Sequence, residues 1–331
     1  MRKLRILFAV VAPAIGLAAL GWLFAIRPPS PFPEPRIVSI RRGESFVTVA
    51  NRLAQAGVVR SPWAFIIYGK SLGHAAGVKP GDYSFPGGES LPRLMKRLVS
   101  GDSMFVVVSI PEGLTAHQIG EKLAQAGLGC QSEFGAAVLD GHVAEALGYG
   151  GLGVEGFLFP ATYRFSPLVK DDQIMAAMLT RFYDVMTPKV QQRIFELGLD
   201  TRQLVTLASI IEKEAKTPAE RPIIASVFYN RLAAGMPLQS DPTAQYNLAG
   251  EKERALKAVH TASAFNTYTI AGLPPGPIAN PGLPSIEAAL YPAHTDYLYF
   301  VARHDGTHIF SRSIEEHQRA INEIKRTVTA K

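Results

Sequence analysis

From Ile6 to Ile26 the chain reads ILFAVVAPAIGLAALGWLFAI, 21 residues without a charge. As a helix rising about 1.5 Å per residue, such a run covers the hydrocarbon thickness of a bilayer. Pro13 falls near its N-terminal third, where a membrane helix tolerates a kink. Arg2, Lys3 and Arg5 precede the run and only Arg27 follows closely. The positive-inside rule therefore predicts a cytoplasmic tail over 1–5, a single inner-membrane helix over 6–26, and a body on the periplasmic side. A cleavable signal peptide fits less well, because the best small-x-small site, Ala19-Leu20-Gly21, lies inside the apolar run. Pro28, Pro29, Pro31, Pro33 and Pro35 then predict a stiff, extended spacer over 27–37.

The remaining chain has the makings of a folded body. Of the whole chain's 331 residues 47% are apolar, which excludes disorder. The lone Cys130 excludes an internal disulfide and a cysteine-based metal site. The net charge of +6 is half local: Arg2, Lys3, Arg5 and Arg27 against Glu34 give +3 within residues 1–35. The other Lys and Arg gather into no stripe, so no nucleic-acid partner is expected.

The body opens with a repeat. Residues 38–58, VSIRRGESFVTVANRLAQAGV, and 108–128, VSIPEGLTAHQIGEKLAQAGL, share Val-Ser-Ile, a glycine at Gly43 and Gly113, and Leu-Ala-Gln-Ala-Gly ending at Gly57 and Gly127. Each reads as strand, glycine turn, polar helix start, amphipathic helix and glycine cap. The pattern of the first copy resembles a LysM-type carbohydrate-binding module. We expect a LysM-like module over 38–105 and a second α+β module or connector over 106–152. Gly69-Lys70-Ser71 matches only the end of a phosphate-binding loop, and Ala64 stands where that loop needs glycine, so no nucleotide is expected.

Chemistry-bearing residues concentrate after residue 153. Leu204–Ala215, LVTLASIIEKEA, has the apolar spacing of a helix, and Glu212 or Glu214 would sit beside apolar surface that raises a carboxyl pKa. Spacing does not choose between them. A second helix carries Val227, Phe228 and Leu232 and ends near Gly235. Irregular stretches follow with Gln239, Ser240, Asp241, Thr243, Gln245 and Tyr246, then Asn266, Tyr268 and Asn280 in a Gly/Pro-fixed loop. Amides and aromatic rings near a carboxyl suit a polysaccharide, although Asn and Gln also cap turns. His304 and His308 stand four apart, but Tyr297–Arg303 alternates like a strand and Asp305-Gly306 signals a hairpin turn, so no metal pair is expected.

These blocks resemble the endolytic murein transglycosylase family, the YceG-like or MltG proteins. The matching residues are Glu155-Gly156-Phe157-Leu158-Phe159-Pro160-Ala161-Thr162-Tyr163, ASIIEKE over Ala208–Glu214, SVFYNRL over Ser226–Leu232, LQSDP over Leu238–Pro242, Asn266-Thr267-Tyr268, and GLPPGPIANPG over Gly272–Gly282. Ala161 departs from the acidic residue common there. The resemblance covers nearly the whole chain and implies an α+β catalytic domain over 153–331. It selects Glu212 as the catalytic carboxyl, with Glu214 and Ser209 in support. Asn230, Gln239, Asp241, Tyr246, Asn266, Tyr268 and Asn280 become candidate substrate-groove residues.

The activity so implied is lytic transglycosylation of peptidoglycan strands, without cofactor or metal. One carboxyl suffices, because the cationic sugar is trapped by its own C6 hydroxyl, leaving a 1,6-anhydro end. Such cutting would terminate nascent strands beside peptidoglycan synthases in the membrane. Two alternatives stand: a muramidase pairing Glu212 with Asp241 around a water, and a non-catalytic glycan-binding scaffold. The overall expectation is α+β, with an N-terminal anchor and small modules. A hairpin over Tyr297–Phe310 should lie beside the catalytic helix, followed by a closing helix from Ile314 to about Arg326.

Overall fold

Both copies of the repeat fold as a strand, a left-handed glycine turn and a helix with a side-chain N-cap. The structure, a computed structural model, describes residues 16, 19–129, 131–146, 153–246 and 258–329. Most of the expected membrane helix and Cys130 lie outside these residues. Among the described residues no helix is long and apolar enough to cross a membrane. The chain divides into two compact units, Met1–Val106 with Arg164–Leu168, and Val107–Tyr163 with Val169–Lys331.

The first unit runs β1 (Pro31–Ile40), α1 (Phe46–Gln55), α2 (Pro62–Ser71), β2 (Gly81–Gly87) and α3 (Leu91–Ser100). Gly43 turns the chain at φ 84°, and Ser45 caps α1 by accepting the Thr48 N–H. β1 pairs antiparallel with β2, Val38 opposite Tyr83, with an irregularity between Pro31 and Arg36. The proline-rich stretch expected as a stiff, extended spacer is strand from residue 31 onward. Prolines lack an N–H for the ladder, and the irregularity absorbs them at a sheet edge. Leu53, Phe65, Tyr83, Phe85, Leu94 and Leu98 are fully buried, and Phe46 stacks on Phe65 at 5.2 Å. Residues 19–26 are helical, and Ala25 and Ile26 pack against this core. No spacer separates them from it.

The second unit takes in most of β3 (Val106–Ile110), then α4 (Ala116–Gln125), α5 (Gln131–Leu139) and α6 (Gly141–Ala146). β4 (Ala161–Phe165) pairs with β3. Next come α7 (Asp171–Val185), α8 (Pro188–Glu196), α9 (Thr201–Glu214), α10 (Arg221–Ala233) and the short α11 (Asp241–Gln245). The unit closes with α12 (Leu283–Leu290), a hairpin of β5 (Tyr299–Ala302) and β6 (His308–Ser311), and α13 (Ile314–Thr329). A capping box of Asp200 and Gln203 starts α9, and residues 204–211 are all buried. A helix enclosed on every side needs apolar residues all round, which is what LVTLASII supplies. α9 packs against α10 and α12.

The expected hairpin is present, but its packing differs. It rests on α10 and α13: Phe300 meets Phe228 edge-on at 5.9 Å, and Tyr299 stacks on His317 at 5.3 Å.

Candidate active site

Residues two apart on a helix point about 200° away from each other, so the end of α9 sends its two glutamates in opposite directions. Glu214 lines a cleft of about 430 Å³ together with Gln239, Asp241, Tyr268, Tyr299 and His317. Its Oε1 accepts a 2.6 Å hydrogen bond from the Ser240 hydroxyl. Burial pushes its pKa up to about 7; the Asp241 charge adds to this, while Ser240 and Lys216 oppose it. A carboxyl balanced near neutrality can both release and recapture a proton.

Glu212 lies elsewhere. Its Oε1 pairs with Arg221 Nη2 at 3.3 Å, and its Oε2 accepts the Gly282 N–H, at the N-cap of α12, at 3.1 Å. Both side chains are nearly buried, at 7% and 12% exposure. Glu112, in the turn of the second repeat, has its pKa raised by burial and then by Glu212, with Arg221 opposing. Glu212 therefore fastens α12 and the start of α10 to the end of α9, while its neighbour Lys213 donates to Gly113 O of the second repeat at 3.2 Å. Glu212, the carboxyl expected to be catalytic, thus faces Arg221 and Gly282, while Glu214 faces the cleft.

Three of the expected groove residues do meet Glu214. Tyr268 donates to Asp241 Oδ1 at 2.5 Å, and burial followed by Asp241 pushes the phenol pKa up. Gln239 holds φ at +53°, the one non-glycine residue with positive φ among those described, and its N–H donates to Thr267 O at 3.1 Å. A residue held in that region at a cleft wall is pinned by its surroundings. Arg231 supplies part of the pinning: it donates to Leu298 O, Leu238 O and Gln239 Oε1 at 2.6, 2.9 and 3.2 Å.

The other expected site residues are engaged in hydrogen bonds within the fold. Asn230 spends its Nδ2 on Thr295 O and Tyr297 O. Buried Asn266 donates to Val259 O and Thr261 O and accepts the Tyr268 N–H, which sets the loop carrying Tyr268. Asn280 donates to Leu114 O and Glu155 Oε1 and accepts the Leu158 N–H. Tyr246 donates to Glu155 Oε2 at 3.3 Å and leans on Phe265. Ser209 donates to Thr206 O and accepts the Ile278 N–H. Buried irregular chain must pair its backbone groups with side chains, and amides do this as readily as they bind sugar.

The sequence profile of the YceG-like family matches residues 38–323. The chain belongs to the YceG-like family. It is 36% identical over 305 residues to a protein of Bacillus subtilis named endolytic murein transglycosylase, covering 86% of this chain and 83% of the relative. A Streptococcus pneumoniae protein of the same name is 29% identical over 324 residues, covering 86% of this chain but only 58% of the relative. A yceG-like protein of Listeria monocytogenes, known from a 2.6 Å crystal structure, is 32% identical with a TM-score of 0.60, covering 88% of this chain and 99% of that one.

Several residues of this YceG-like chain carry the site without having been singled out. Glu155, in a matching block but given no role, accepts the Ala116 N–H at 2.9 and 3.0 Å as well as Asn280 and Tyr246, and burial pushes its pKa up to about 7. Ser240, in the Leu-Gln-Ser-Asp-Pro block, braces the Glu214 side chain. His317 stacks on Tyr299, and its Nδ1 is buried with no partner among the described residues. Burial and then Arg231 lower its pKa, so the ring is neutral near pH 7. His308 joins Glu220 at 2.7 Å, which anchors the hairpin to the start of α10.

Proposed function

We propose that this chain is a lytic transglycosylase that cuts peptidoglycan strands internally between N-acetylmuramic acid and N-acetylglucosamine, with Glu214 as acid and then base. The relatives named endolytic murein transglycosylase support the reaction. The observation that carries the residue is the raised pKa of Glu214 on the wall of the 430 Å³ cleft beside Asp241 and Tyr268.

Protonated Glu214 gives its proton to the linking oxygen, the C1–O bond of the muramic acid breaks, and the N-acetylglucosamine leaves with a hydroxyl. The positive charge developing on the remaining sugar is offset by Asp241, whose carboxylate Tyr268 holds in place. The C6 hydroxyl of the same sugar closes on C1 and its proton passes to Glu214, restoring the acid. No water is consumed. The exposed amide of Gln239 on the cleft wall is available to a sugar hydroxyl.

Mass spectrometry of purified strands digested by the protein tests this. Anhydro ends support it. Reducing ends would favour the muramidase reading, now with Glu214 and Asp241 as the pair around a water. No cleavage would leave the scaffold reading.

The surrounding organisation is part of the same proposal. The uncharged run ending at Ile26 is read as a single inner-membrane anchor, supported by the exposure of Leu20, Trp22, Leu23 and Phe24 on its described end. The strand–helix–helix–strand order of the first unit supports a LysM-like glycan module. An anchored enzyme of this kind would act on nascent strands beside membrane peptidoglycan synthases and end their elongation.

A further inference from the structure

Helix α2 is apolar on both faces, although it lies at the surface of the first unit. Ala64, Phe65 and Gly69 are buried in the core, while Trp63 is 74% and Ile67 49% exposed one turn apart on the outward face. Leu72, just past the helix, is 49% exposed. Lys70 stands on the same outward face as Ile67 and is exposed. From Ser45 to Gly81 the chain has Arg52, Arg60, Lys70 and Lys79 and no acidic residue. The face also adjoins the end of the N-terminal apolar run: the Arg60 guanidinium lies over the Phe24 ring at 4.9 Å, and Ala25 and Ile26 pack on the core beneath.

We infer that the outward face of α2, centred on Trp63 and Ile67, lies in the headgroup region of an anionic membrane surface beside the anchor. The inference rests on the anchor reading above. Tryptophan seats its ring at the depth where hydrocarbon meets water. Arg52 is paired with Glu44 at 2.6 Å, but Lys70 can lay its stem along the apolar face and reach the phosphates, where its positive charge attracts anionic lipid. A glycan strand could stack on Trp63 but would gain nothing from Ile67 and Leu72. With Ala25 and Ile26 seated directly on the unit, the anchor leaves it close to the bilayer. The first unit is then a foot on the membrane.

The chain has two tryptophans, Trp22 and Trp63, so W22F and W63F each leave one reporter. The full chain is reconstituted into vesicles of phosphatidylcholine and phosphatidylglycerol carrying lipids with a quencher near the headgroup. In W22F, Trp63 emission should shift to shorter wavelength and fall roughly twofold. In W63F, Trp22 should also be quenched, which tests the anchor separately. Quenched Trp22 with unquenched Trp63 overturns the docking face and leaves the anchor standing. Quenching of neither overturns both. A Trp63 signal that changes only when glycan strands are added overturns the lipid assignment in favour of sugar.

Discussion

The Ser240 hydroxyl donates a 2.6 Å hydrogen bond to Glu214 Oε1, tying the last residue of α9 to the residue before Asp241. That bond favours the ionised carboxylate, while burial and the Asp241 charge favour the protonated one. Near pH 7 neither form dominates, as a group that gives and retakes a proton within one turnover requires.

Replacing the two glutamates of α9 should have opposite consequences. E214Q should lower formation of anhydro ends by about 10²–10⁴-fold. E212Q should keep most of the cleavage but cost about 3 kcal/mol of stability, because Arg221 loses a nearly buried partner. Initial rates on purified strands, paired with denaturant unfolding, measure both. The reverse pattern would return the acid to Glu212.

The rate should fall above pH 7 by about tenfold per pH unit as Glu214 loses its proton. S240A removes a bond that lowers this pKa, so the alkaline limb should move to higher pH. A limb that stays put or moves down would show that Ser240 does not act on Glu214.

Stability should also depend on pH, and in the opposite sense to ordinary ion-paired carboxylates. Glu155 and Glu214 have folded pKa values of about 7 against 4.5 for the free side chain. The unfolded chain gives up these protons first as pH rises. Their stabilisation is therefore full below pH 4.5 and declines toward pH 7, by roughly 3 kcal/mol for each group. Unfolding free energies across this window should show the slope, and E155Q should remove its share.

Y268F deletes the hydrogen bond to Asp241 without opening the core. A lost bond to a charged acceptor predicts a fall in kcat/KM of about 10–100-fold, with the unfolding temperature unchanged.

N280A should act on the fold instead. It strands the buried Leu158 N–H and removes one donor each from the Leu114 carbonyl and Glu155, so a loss of about 2–3 kcal/mol is expected. A normal KM in whatever protein remains folded would separate this role from substrate binding.

The repeat, the catalytic helix, the hairpin and the closing helix were legible because each rests on local signals: apolar period, glycine turns and caps. The choice between Glu212 and Glu214 was not local. Their surroundings differ through Arg221 at the start of α10 and Gly282 at the start of α12, which hold Glu212, and Ser240, which holds Glu214, remote contacts that no spacing within α9 reveals. That Asn230, Asn266 and Asn280 hold buried backbone was not legible, because an amide that does so is chemically the same group as one that binds sugar. Gln239, Asp241 and Tyr268 belonged to the same list and did reach the cleft; only the course of the loops divides the two sets. Glu155 stayed silent because its sequence neighbours are apolar, and its partners come from residues 116, 246 and 280.

The cleft wall is finished late in the chain. Glu214 arrives with α9, but Tyr299 and His317 come from the last hairpin and the last helix. A polypeptide emerging from its N-terminus therefore carries the acid long before it carries the complete trough around it. Scissors capable of damaging the wall are delivered open-handled and close only when the hairpin and the helix behind it have followed.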